Sequence, residues 1–194
     1  MRAVLYCLPL ILVCLACQGP PQPTGLLELF PDSSGMRRTF EVQRADGGNF
    51  RYQLETAIVD TREAGRKGLA FNDPRHRGLV GNPQLIVHER SMELLLPDFS
   101  LTMGLLDWPL EADSSLVEYL PGFQARKLGW QHLERADERN LWAFGMEYLV
   151  NEELLRRFGV DAMGQQLEFR LWLAPGIGPV RFESGDTYRE ELVR

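Results

Sequence analysis

Period-two alternation of apolar and polar residues is clearest at positions 165–173. There Leu167, Phe169, Leu171 and Leu173 fall on one side of an extended chain, and Glu168, Arg170 and Trp172 on the other. That is the repeat of a half-buried β-strand. Residues 39–44 and 50–54 alternate in the same way around Asp46-Gly47, a dipeptide suited to a tight turn, and predict a β-hairpin. Short apolar runs at 84–88, 92–96 and 116–120 have strand length, and 145–150 reads as a strand running straight into a helix over 152–158. The helix is well punctuated. Asn151 is a natural N-cap, Glu152 and Glu153 lie at its positive end, Arg156 and Arg157 at its negative end, and Gly159 supplies the left-handed residue that ends it. Leu54, Ile58 and Val59 have helical spacing, so 55–67 reads as a second helix stopped by Gly68, with a strand plus turn as the alternative. Residues 72–83, rich in Asn, Asp, Pro, Arg and Gly, predict a loop, and 183–194 a charged tail that frays or turns helical. No internal repeat is visible. The expectation is one α+β domain over 26–182, with a mixed or mostly antiparallel sheet and few short helices.

The first seventeen residues change the picture. Arg2 precedes an apolar run over 3–16 that is too short for the ~20 residues of a membrane-spanning helix, and a small residue, Ala16, stands before Cys17. A basic start, a short apolar stretch and a small residue before the break make an export leader. The Ala16-Cys17 pair resembles a lipobox, with Cys14 and Leu15 departing from its usual residues, so Cys17 is the expected site of lipidation. An uncleaved anchor or a plain secretory leader are the alternatives. Residues 18–25, dense in Pro and Gly, form a tether. The three cysteines all lie within residues 1–17, so the body carries no disulfide, no thiol nucleophile and no cysteine metal site. The expected location is extracytoplasmic and membrane-anchored, on the outer membrane or the periplasmic face where the host has two membranes, with Gln18 after the lipidated cysteine favouring outward sorting. The formal charge of −6 disfavours nucleic-acid partners, which need a basic footprint.

Catalytic constellations are not apparent. His76, His88 and His132 are scattered, and none belongs to a zinc-protease helix motif. The sequence contains no Gly-x-Ser-x-Gly elbow and no Walker loop, and in Gly176-Ile177-Gly178-Pro179 the proline removes an amide that a phosphate cradle would use. Asp107, Glu111 and Asp113 form an acidic cluster that lacks the spacing of a calcium loop. No cofactor and no metal are expected. Four tryptophans, Trp108, Trp130, Trp142 and Trp172, are core-filling candidates, and Trp172, with Trp130, is a candidate partner contact because its strand position is on the polar side. An enzyme reading would rest on His88, Glu89 and Ser91 or on the acidic cluster.

Two resemblances bear on function. Residues 150–167, Val-Asn-Glu-Glu-Leu-Leu-Arg-Arg-Phe-Gly-Val-Asp-Ala-Met-Gly-Gln-Gln-Leu, with Pro121-Gly122-Phe123 and Leu128-Gly129-Trp130 upstream, resemble the strand–helix–strand unit of the periplasmic core domain in MacB/FtsX-type ABC transporter permeases. The likeness spans roughly 116–173, with Asn151, Glu152, Gly159 and Gly164 as its structural positions. It implies a non-catalytic extracytoplasmic module that binds a partner or substrate beside permease and ATPase components. This chain has no permease helices or ATPase of its own. The second resemblance rests on Thr61, Glu63, Lys67-Gly68-Leu69-Ala70-Phe71, Met103 and Pro109-Leu110-Glu111. These are similar to a family of small exported proteins marked by Gly-Leu-Met-Phe, Met-Lys-Asn-Thr and Pro-Leu-Asp motifs. Ala70 replaces the Met of the first motif, and Gly104-Leu105-Leu106 replaces Lys-Asn-Thr. It implies an exported lipoprotein.

Overall fold

The structure, a computed structural model, describes residues 19–31, 36–59, 66–71, 84–96, 101–134, 141–157, 166–185 and 188–193. Among the described residues twelve strands follow one another: β1 (Met36–Arg44), β2 (Phe50–Val59), β3 (Arg66–Phe71), β4 (Gln84–His88), β5 (Ser91–Leu96), β6 (Leu101–Asp107), β7 (Asp113–Leu120), β8 (Phe123–Leu133), β9 (Leu141–Val150), β10 (Leu167–Ala174), β11 (Gly178–Ser184) and β12 (Tyr188–Leu192). A 3-10 turn, Leu26–Leu29, precedes them, and one short helix, α1 (Glu152–Arg157), stands between β9 and β10. The fold is therefore almost all β, which corrects the α+β expectation. The predicted helix at 55–67 is replaced by the end of β2 and the start of β3, paired antiparallel from Thr56–Phe71 to Val59–Gly68. Segment 183–194 is no free tail. Its β12 lies between β1 and β11 in the middle of the sheet. The predicted loop at 72–83 lies outside the described residues.

Each strand pairs antiparallel with its sequence neighbour, except that β6 and β7 are not hydrogen-bonded to each other, and β1 pairs with β12. This up-and-down order rolls into a barrel with a seam between β6 and β7. The core demonstrates the roll. Leu85, Val87, Met92, Leu105 and Leu106 from β4–β6 share one buried cluster with Phe123, Ala125, Phe144, Met146, Tyr148 and Leu173 from β8–β10. In a flat sheet those strand groups would stand roughly 30–40 Å apart at about 4.8 Å per strand. Side chains close the seam. The Tyr148 hydroxyl donates to the Leu105 carbonyl at 3.1 Å, and the Tyr119 ring lies over Gly104, which leaves no room for a Cβ there. Burial and the neighbouring Asp107 both push the Tyr119 phenol above its usual range.

Local chemistry accounts for the elements. At the first hairpin Gly47 has φ +79°, its amide reaches the Arg44 carbonyl at 3.0 Å, and the Asp46 carboxylate accepts the Gly48 amide at 2.9 Å. Strand β9 reads Leu-Trp-Ala-Phe-Gly-Met-Glu-Tyr-Leu-Val without polar alternation because both of its faces are covered. Phe144, Met146, Tyr148 and Val150 enter the main cluster. Ala143, on the other side, enters a second cluster with Trp172, Leu133, Val180, Phe40 and Leu192, and the Trp172 ring lies across Gly145. Trp172 is 5% exposed, so its place on the polar side of β10 is covered rather than offered to a partner.

Helix α1 is capped as its sequence suggests: Asn151 Oδ1 accepts the Leu154 amide at 2.9 Å, while its own amide donates to the carbonyl of Gly122 at the β7–β8 turn. Gly122 has φ +86°, and a Cβ there would collide with the Asn151 side chain, so turn and cap are built around each other. Asn151→Ala is expected to lower stability by about 1 kcal/mol, with Asn151→Asp retaining most of it, read from urea midpoints at unchanged m-value.

The 3-10 turn carries the entering chain into the barrel end. Leu26 and Leu29 are fully buried, a burial worth about 1.5–3 kcal/mol for each side chain. The Leu26 amide donates to the Glu89 carbonyl, and the Glu28 carbonyl accepts from the Gly176 amide, both at 2.8 Å. One short segment thus ties the β4–β5 hairpin to the β10–β11 hairpin.

Candidate functional site

The two faces of β8–β12 carry different chemistry, and the strand register assembles each. On one face Arg126 faces Glu147, Glu147 faces Arg170, Arg170 faces Glu183, Glu183 faces Arg189, and Arg189 faces Gln43 of β1. The result is a row of alternating charge across five strands, β8 to β12, ending at the neutral Gln43, the arrangement in which cross-strand neighbours attract. Glu147 anchors it. Its carboxylate is 2% exposed, accepts from Arg170 Nε at 2.9 Å and pairs with the Arg126 guanidinium. Burial pushes this carboxyl up, the two guanidiniums more than offset it, and the net effect holds the group below the usual carboxylate range. Arg170 is raised in turn by its bond to Glu147. Glu191, also buried, is held by Arg181 at 3.1 Å and Arg189 at 2.6 Å.

The opposite face carries an aromatic row. Phe123, Tyr148, Phe169, Phe182 and Tyr188 follow one another with ring centroids 5.6, 4.9, 5.4 and 6.2 Å apart. Both rows reach a groove of about 380 Å³ in the middle strands of the sheet, lined by Gln43, Arg44, Arg170, Glu183, Tyr188 and Arg189 with Ala45 and Gly185. Three guanidiniums meet there on a protein of net negative charge. Arg44 also lies over the Phe50 ring at 5.1 Å. The groove offers hydrogen-bond donors in a polar setting. Among the described residues its lining holds no histidine or cysteine.

Residues singled out from sequence fall elsewhere. His88 lies 4.0 Å from Glu93, and His132 packs edge-on against Trp142. Glu89 is exposed, and its carbonyl accepts from the Leu26 amide, while the register of the β4–β5 hairpin brings His88 opposite Ser91. In the acidic cluster Asp107 is engaged by Tyr119, and Asp113 accepts the Ser115 amide at 2.8 Å. No three His, Cys, Asp or Glu side chains converge among the described residues. Trp130 is half-buried against the main core, edge-on to Phe144 at 5.5 Å. Glu152 pairs with Arg156 along the helix, while Gly159, Gly164, His76 and Cys17 lie outside the described residues. The arginines of the groove were not singled out, since positions 44, 170 and 189 become neighbours only through pairing of distant strands. Their one local trace is charge at alternate positions, as in Glu168-x-Arg170 and Arg181-x-Glu183.

No protein-family model and no curated protein matches the chain. Solved structures do. One, from Parabacteroides distasonis and provisionally described as a lipoprotein, superposes with a TM-score of 0.55 at 10% identity, over 88% of this chain and 98% of its own. Another, from Bacteroides fragilis, is provisionally described as an exported protein with a YmcC-like fold. It superposes with a TM-score of 0.50 at 13% identity, over 85% of this chain and 97% of its own. The chain is similar in fold to both. At these identities the likeness concerns the arrangement of strands, and nearly the whole of each neighbour takes part in it. The segment over 116–173 that resembles a permease core domain is, in this chain, β7 to β10 of one continuous antiparallel barrel.

Proposed function

We propose that the protein is an exported, lipid-anchored and non-catalytic binding module of the cell envelope. The carrying observation is the order of the N-terminal parts. A leader ending in Ala16-Cys17 is followed by a Pro/Gly-rich tether, and the chain then inserts Leu26 and Leu29 into the end of the barrel. At about 3 Å per residue in extended geometry, residues 18–25 would set the barrel roughly 25 Å from acyl chains on Cys17. The fold shared with two proteins described as a lipoprotein and an exported protein supports the same reading. It favours an exported lipoprotein over a transporter-domain relative, because the permease-like segment is not a separate α+β unit here. The arginine-lined groove is the surface offered to a polar, anion-bearing partner. Multiple acyl chains on one cysteine would hold the protein stably, where a single chain would not.

Fatty-acid labelling and fractionation of the full chain provide the test. The wild type is expected to take up label, to lose residues 1–16 by intact mass and to sediment with membranes. Cys17→Ser should remain unlabelled, with the same far-UV dichroism of the body. A wild-type product that is soluble and keeps its leader would refute the anchor.

A further inference from the structure

Three charged side chains are buried among the described residues: Glu147, Glu191 and Arg38. The first two are each clasped by two guanidiniums. Arg38 is different. It is 5% exposed, its Nε and Nη2 are shut off from solvent without a hydrogen-bond partner, and no carboxylate pairs with it among the described residues. Burial alone acts on its ionisation and lowers it, with no neighbouring charge contributing. An arginine nonetheless keeps its proton in a protein. A buried, unpaired guanidinium is among the most unfavourable arrangements a fold can hold, and neighbouring strands of this same sheet show how the chain satisfies buried charge elsewhere.

The two idle atoms are informative. Nε–H and Nη2–H lie along one edge of the guanidinium and point the same way. They form the fork that grips two oxygens of a carboxylate or a phosphate side-on. The surroundings keep the fork dry and in place. Arg38 belongs to β1 at the end of the barrel entered by the N-terminal segment, beside Phe30, which is 2% exposed, and Gly178, whose φ is +81°. A Cβ on Gly178 would stand 3.1 Å from the Phe30 ring and 3.7 Å from Arg38 Nη1, so the missing side chain lets the ring pack close on the Nη1 side of the guanidinium, away from the Nε–Nη2 edge. In a dry setting one bidentate contact counts for more than it does in water.

We propose that Arg38 is the receptor for a single oxyanion group, a carboxylate or phosphate borne by a ligand that enters at the plugged end of the barrel. The site is separate from the groove, which lies at the other end of β1 near Arg44, and it does not depend on the lipid anchor.

The experiment uses the full-length protein in detergent, dialysed free of oxyanions into chloride buffer at fixed ionic strength, with inorganic phosphate and sodium acetate as probes. Melting temperatures and the 15Nε–1H resonance of Arg38 are followed through each titration. In chloride alone, Arg38→Met should melt at or above the wild type, because it removes an uncompensated buried charge. Oxyanion should raise the wild-type melting temperature and move the Arg38 resonance, and should leave Arg38→Met where it was. Arg38→Lys keeps the charge but loses the fork, so its affinity should fall about tenfold or more. A response to phosphate alone identifies a phosphorylated ligand group, a response to acetate alone identifies a carboxylate, and a response to both identifies the shared oxyanion chemistry. The proposal is overturned if the wild type responds to neither probe, if its response equals that of Arg38→Met, or if Arg38→Met melts well below the wild type in chloride, which would reveal a partner within the protein. Should Arg38→Met not fold, the same decision comes from Arg38→Lys and the wild-type resonance.

Discussion

Replacing Arg126 and Arg170 together by alanine is expected to destabilise the protein by about 3–5 kcal/mol, because Glu147 is then left charged, 2% exposed and alone. Each arginine is itself more than two-fifths exposed and loses little by regaining water, so the effect resides almost wholly in the stranded carboxylate. Adding Glu147→Met to the double variant should restore most of the loss, since an apolar side chain of similar volume has no charge to desolvate. The pH dependence carries a sign. In the wild type Glu147 titrates below the usual carboxylate range, so its contribution is fully present above that range and is lost as pH falls through the lowered value. In the double variant burial acts unopposed and raises the group. Acidification then neutralises it early, and the gap between variant and wild type narrows. Guanidinium chloride titrations from neutral to acidic pH measure both effects. A triple variant no more stable than the double would show that the carboxylate is not the source of the loss.

The second large effect lies under Trp172. Its indole is 5% exposed and lies across β9 at Gly145, where a Cβ would come within 2.8 Å of three ring atoms. A buried ring held by Phe40, Leu133, Val180 and Leu192 has little freedom to shift. Gly145→Ala is therefore expected to cost about 1–3 kcal/mol by overpacking, and Trp172→Ala about 3–5 kcal/mol by leaving a cavity. The two changes should not add. With the ring gone, the alanine methyl enters the space it vacated, and the double variant should be no less stable than Trp172→Ala alone. Thermal denaturation of the four proteins decides it. An equal penalty for Gly145→Ala in both backgrounds would mean that something other than the indole forbids a side chain there.

Where neighbours along the chain decide conformation, the sequence was a sufficient guide. The Asp46-Gly47 turn, the alternation of 165–173, the apolar runs that became β4, β5 and β7, and the Asn151 cap all depend on chemistry within a few residues. The helix expected at 55–67 failed for a definite reason. Positions 54 and 58 are four apart, a spacing that fits a helical face and a strand face equally, and pairing with β1 and β3 selected the strand. The same pairing turned an expected charged tail into a central strand, because Tyr188–Leu192 found partners on both sides.

Hairpin and cap could be read from amino-acid order because covalent neighbours and backbone sterics act at short range. Closure of twelve strands into one barrel, the alignment of Arg126, Glu147, Arg170, Glu183 and Arg189 into a single row, and the isolation of Arg38 were decided only by the tertiary structure. Each depends on strand register and on which side chains lose contact with water. Adjacent arginines, Arg37 and Arg38, are indistinguishable on paper, yet one faces solvent and the other is sealed inside the fold.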